Sequence, residues 1–224
     1  MSLKPLKVSE QKKNQKKINE KMKKKKKEPL EILPPYMYII SEGTKTEPNY
    51  IHGIVDLINV KFSSFSSGKR ILVKGTGKNT RGLLNYARKQ VENEFPQAEV
   101  VWLMYDKDDF PLDNFDNTQY SAEGRTDHRK YRVAWSNECI ELWFVLHFQE
   151  LTVNSGRAHY QEILKQKCDY EKNKEGMYAI LKDKTDIAIR RAKQQYESYE
   201  NEPPSRRCPA TRVYELVEEL QSYL

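Results

Sequence analysis

Cysteine is scarce. The 224 residues hold three, Cys139, Cys168 and Cys208, widely spaced and without a Cys-x-x-Cys pair. An odd, scattered set argues against a disulfide framework or a zinc site and fits a reducing cytoplasm. No run of about 18 apolar residues occurs, so no membrane span is expected. The N-terminus lacks the apolar stretch of a signal peptide, which also favours a cytoplasmic location. There is no internal repeat. The P-loop pattern is missing too: Gly75-Thr76-Gly77-Lys78-Asn79-Thr80 departs from it and reads as a glycine-rich turn before a helix, with backbone phosphate contacts at most. No Gly-x-Ser-x-Gly elbow supports acyl chemistry.

Charge is present but unevenly spread. The formal net charge is +7, yet residues 1–29 alone carry 12 Lys against 3 Glu, which leaves the remainder slightly acidic. The run that includes Lys23, Lys24, Lys25 and Lys26 reads in the bland case as a solvated, disordered or frayed helical tail. In the functional case it is a sequence-blind arm that holds nucleic-acid phosphate and releases counterions. Both readings can hold together.

Beyond the tail the pattern alternates. Tyr36–Ser41 reads as a strand. Thr46 is a candidate cap for a helix starting near Glu47-Pro48, with Tyr50, Ile54, Leu57 and Ile58 at helical spacing. Ile71–Val73 reads as a strand, followed by a helix that Thr80 could cap. Glu99–Tyr105 is the most apolar strand. Residues 110–130 read as a loop that could hold a short helix, Tyr131–Trp135 as a fourth strand, and Asn137–Phe148 as a buried helix capped by Asn137. Later text is helical, ending in Thr211–Leu224. This predicts an α/β fold: a mostly parallel four-stranded sheet with flanking helices and a C-terminal helical extension. The expected divisions are a tail over 1–30, an α/β domain over 31–150 and an extension over 151–224 packed on that domain.

Two apolar strands end in carboxylates. The first runs into Ser41-Glu42-Gly43-Thr44-Lys45-Thr46-Glu47, the second into Asp106-Lys107-Asp108-Asp109. Open parallel sheets place ligand sites at the carboxyl ends of their strands. Carboxylates gathered there repel one another unless a cation joins them, and hard oxygen donors favour Mg²⁺ or Mn²⁺. Glu42 is a candidate acid, base or ligand. Asp106 and Asp108, two residues apart, project to one side and could share an ion. Asp109 would point the other way. Glu47 is also ordinary first-turn helix chemistry, and Lys45 could contact phosphate. Glu141, among apolar neighbours, either pairs with a basic residue or faces the site as a second catalytic carboxylate. His147 reads better as a core histidine. The constellation points to phosphate-ester chemistry.

Three blocks in order, Ile40 to Tyr50, Trp102 to Asp108 and Ser136 to Phe148, with a late stretch Thr211 to Val217, resemble the RloB-like family over roughly residues 36–222. Where that family usually has Asn-Pro, this chain has Asn137-Glu138. RloB-like proteins are in turn similar to the TOPRIM fold of topoisomerases, primases and OLD-type nucleases. The resemblance implies Glu42 as the acid or base, and Asp106 and Asp108 as magnesium ligands. It also implies a metal-dependent nuclease in defence against phage, with nucleic acid and an ABC-like ATPase as partners. The competing expectation is a non-catalytic nucleic-acid-binding or regulatory subunit. An oligomer is compatible with either.

Overall fold

The structure, a computed structural model, describes residues 13, 15–17 and 32–224, apart from 67, 109–111 and 127 and the side chains of 81, 112 and 113. Lys23, Lys24, Lys25, Lys26 and Asp109 therefore lie outside the described residues. The chain divides into two units, Met1–Leu33 and Pro34–Leu224. In the first, Lys13 and residues 15–17 are helical and exposed.

The second unit is built on strands β1 (Met37–Ser41), β2 (Ile71–Gly75), β3 (Val100–Asp106), β4 (Lys130–Asn137) and β5 (Ala210–Thr211). Their order is β2-β1-β3-β4-β5, all parallel except β5, which runs antiparallel to β4. The sheet thus has five strands rather than the expected four. The two residues of β5 are too short for any periodicity to show, and they pair only because β4 runs on to Asn137.

The helices are α1 (Thr46–Lys61), α2 (Thr80–Glu94), α3 (Leu112–Glu123), α4 (Glu141–Leu146), α5 (Gly156–Cys168), α6 (Met177–Leu181), α7 (Thr185–Glu197) and α8 (Val213–Gln221). They cover both sheet faces, which is why β1 and β3 are apolar at every position rather than at alternate ones. Alternate residues divide between two cores. Met37, Ile39, Trp102 and Met104 pack with α1 and the α4–α8 helices. Tyr38, Ile40, Leu103 and Tyr105 pack with α2 and α3. The residues of the C-terminal helices therefore share a core with one face of the sheet.

Several local expectations are corrected. The short helix allowed for within the 110–130 loop takes up much of it, three turns over residues 112–123, held by Phe115 and Ala122 against the sheet. Asn137 is the last residue of β4, not a helix cap; its side-chain amide donates to the Ser205 carbonyl at 3.0 Å. The helix after it is only six residues, Glu141–Leu146, because the chain first needs residues 138–140 to turn. Leu57, expected on the inner stripe of α1, is exposed. No helix among the described residues is long and apolar enough to cross a membrane.

Candidate functional site

The chain leaves β1 for β2 on one side and reaches β3 on the other, so the carboxyl ends of β1 and β3 flank the point where the strand order reverses. A crevice opens there in such sheets. Glu42 immediately follows β1 and Asp106 ends β3, and the Glu42 N–H donates to the Met104 carbonyl at 2.8 Å. Glu42, Glu47, Asp106, Asp108 and Glu141 all line one open cleft of about 400 Å³, with Lys45, Arg157 and Lys172 among the other lining residues.

The loop after β1 is clamped from the glycine-rich turn. Thr76 donates both its N–H and its hydroxyl to the Ser41 carbonyl, and the Gly77 N–H donates to the Glu42 carbonyl. Those groups therefore hold the Glu42 loop and are not the phosphate cradle a glycine-rich turn can form. A Cβ at Gly75 would stand 2.7 Å from the Gly43 carbonyl oxygen and 2.8 Å from Thr44 Cα, so only glycine lets the two loops approach this closely. A Cβ at Gly43 would collide with the Glu47 carboxylate.

Thr80 does not cap α2. Asn79 does, its side chain accepting from the Gly82 N–H, and the Thr80 hydroxyl is free to donate to Glu42 Oε2 at 2.9 Å. Thr46 is likewise no cap: its hydroxyl donates to Asn173 Oδ1 at 3.1 Å. Burial pushes the Glu42 carboxyl up to about 7, against the Thr80 hydrogen bond that lowers it, while Asp108 and Glu47 add repulsion. Burial also raises Glu47, helped by Glu141 and Asp108 and opposed by the backbone N–H groups of Glu47 and Gly43. Asp106 is pushed well above the carboxylate range by burial, then by Glu47, Asp108 and Glu141. Crowded, partly dry carboxylates hold protons for want of positive charge.

Part of that charge comes from Arg157 on α5. Its guanidinium contacts Asp108 Oδ1 and lies 3.8 Å from Asp106 Oδ2. Asp106 Oδ2 also accepts from the Ile140 N–H at 3.1 Å. Asp108 sits at φ +41°, a left-handed conformation that aspartate tolerates better than most residues. Glu141 faces the cleft, and its Oε1 accepts from the Gln161 amide at 2.9 Å and the Tyr170 hydroxyl at 3.1 Å. Its hydrogen-bond donors are thus neutral. Among the described residues no three His, Cys, Asp or Glu side chains lie close enough to hold a metal ion as they stand. In chemistry the set still fits a hard divalent cation: oxygen donors, excess negative charge and access to solvent.

His147 lies away from the cleft. It is buried, its Nδ1 meets the Trp143 carbonyl at 2.9 Å, and burial lowers it to about 4. Sequence reasoning missed Arg157, Lys172, Gln161 and Tyr170. All come from the C-terminal helical region, and Arg157 is 49 residues beyond Asp108, so no local spacing marks them.

Neither a curated protein nor a solved structure matches this chain. The model of one family, described as RloB-like protein, matches residues 37–220, more than half the length. The blocks that carry the cleft carboxylates all fall inside that match, and the chain belongs to the RloB-like family.

Proposed function

We propose that this chain is a TOPRIM-like, divalent-metal-dependent nuclease that hydrolyses phosphodiester bonds. The observation that carries the reading is Glu42. It is a half-buried carboxyl with its pKa near 7, at the rim of an open cleft beside Asp106, which ends the neighbouring parallel strand, and Asp108 just after it. A group poised near neutrality can both accept and return a proton at physiological pH. Asp106 and Asp108 would hold Mg²⁺ or Mn²⁺, which when bound supplies charge stabilisation for a phosphoryl group. Glu42 would take the proton from the attacking water, with Thr80 fixing which carboxylate oxygen faces the cleft. Lys45 and Lys172 would meet substrate phosphate at the mouth. Glu141, aimed by Gln161 and Tyr170, would serve as a second proton carrier. The Lys-rich tail would add non-specific affinity.

The test is to incubate the protein, and Glu42→Gln, with labelled DNA and RNA plus Mg²⁺ or Mn²⁺. Cleavage lost in the variant supports the enzyme. Absence of cleavage by the unaltered protein with either metal, on every substrate, would falsify it as a self-sufficient nuclease.

One observation favours a second reading. Arg157 already contacts Asp108 and stands 3.8 Å from Asp106, as in a site at rest or in a module that binds without cutting. That module would be a nucleic-acid-binding or regulatory subunit working with the ATPase partner and the phage-defence role that the resemblance implies. It predicts binding that survives Glu42→Gln, and a latent enzyme predicts cleavage only when the ATPase is added.

A further inference from the structure

A second depression lies on the opposite side of the sheet from α5, between α2 and α3. Along α2, Asn85, Arg88 and Lys89 fall at i, i+3 and i+4 and share one exposed face. Along α3, Asn114, Asn117 and Ser121 repeat the helical spacing and line the facing wall. The buried sides of the same helices, Leu83, Ala87 and Val91 on one and Phe115 and Ala122 on the other, are anchored in the core, so this wall is fixed and solvent-facing. Two adjoining spaces of about 490 and 740 Å³ share Asn85, Arg88 and Arg125. Arg125 stacks on Tyr131 at the lower end, 5.0 Å from the ring centre. Among the described lining residues the one acid is Glu92, and Arg129 binds it.

We propose that this α2–α3 groove is a binding track for the phosphodiester backbone of a nucleic acid. Guanidinium, ammonium, amide and hydroxyl donors spaced along a trough suit a repeating anion without reading its bases. A solvated helix face would explain Arg88 and Lys89, but not the two amides and the hydroxyl of Asn114, Asn117 and Ser121 that face them. The groove also has a reason to exist. Five acidic side chains line the cleft against three basic ones, so a basic surface outside it would add to the attraction for a polyanion. The groove's wall is linked to the cleft by a buried contact: the Thr118 hydroxyl donates to the Thr80 carbonyl at 3.3 Å, and the Thr80 hydroxyl donates to Glu42. The proposal extends the nucleic-acid reading of the cleft but is tested by binding alone, without cleavage.

The experiment measures binding of the full chain to labelled single- and double-stranded oligonucleotides in EDTA, across a salt series. Arg88→Ala/Lys89→Ala is compared with a charge-matched pair on the far side of the sheet, Lys167→Ala/Lys182→Ala. All four side chains are exposed, and a thermal melt confirms folding. The groove variant should reduce the steepness of the salt dependence by about 2 and weaken binding by roughly tenfold, while the control changes neither. Equal loss in both pairs, or no loss in the groove pair, overturns the track. So does displacement of the oligonucleotide by millimolar inorganic phosphate, which would assign the groove to a small anion. Cleavage that persists with an inert groove removes this proposal and leaves the nuclease reading standing.

Discussion

The Thr80 hydroxyl donates to Glu42 Oε2 at 2.9 Å, across 38 residues of sequence. This bond favours the ionised form of Glu42 and opposes the upward push of burial. Thr80→Val keeps the shape and removes the donor. Glu42 should then titrate about one unit higher, since a hydrogen bond to a charged group contributes about 1.5 kcal/mol. The acid limb of a pH–rate profile, or the carboxyl carbon followed by NMR, reads the shift. An unmoved titration would remove Thr80 from the site.

Three cleft carboxyls are raised, so the cleft favours protons over bare charge. Their neutral forms contribute stability that is fully present below the ordinary carboxylate range and lost as pH rises through the folded value; for Glu42 the window is 4.5 to about 7. Without metal, the melting temperature should fall between pH 5 and pH 8. Mg²⁺ should restore more of it at pH 8 than at pH 5.5, because binding must displace protons. A magnesium effect equal at both pH values contradicts this linkage.

Arg157 serves as an internal counter-ion for Asp106 and Asp108. Arg157→Gln should destabilise the metal-free protein by about 1–2 kcal/mol, between the values for exposed and buried pairs. It should also tighten Mn²⁺ binding several-fold in calorimetry by freeing both carboxylates. Weaker Mn²⁺ binding would mean that Arg157 helps to build the cation site rather than occupying it.

Gly75→Ala should cost about 1–3 kcal/mol and loosen the Glu42 loop, because its Cβ has no room between Gly43 and Thr44. Gly68→Ala, with nothing within 4 Å of the new Cβ, is the matched control and should be close to neutral. Denaturant melts of the two variants check the contrast.

Much of this was legible beforehand. Continuous apolar runs identified the first and third strands, because a sheet covered on both faces leaves no position polar. The carboxylates that follow them were legible for the same reason: a buried strand must end somewhere, and charge marks the end. The extent of the helix over residues 112–123 was underestimated because its polar face dominates the text while only Phe115 and Ala122 anchor it. Thr80 was misread because any threonine before a helical stripe resembles a cap, and only the sheet order brings Glu42 within its reach.

By itself, then, the sequence determined an alternating α/β chain, carboxylates at two strand ends, and family membership. These depend on spacings of two to four residues and on short contiguous blocks, which the chain carries locally. Tertiary structure alone decided that Glu47 and Glu141 share the cleft with Asp106, that Thr80 bonds Glu42, and that Arg157 stands against the two aspartates. Such pairings depend on strand order and on where the C-terminal helices return to the sheet, and no local periodicity records either.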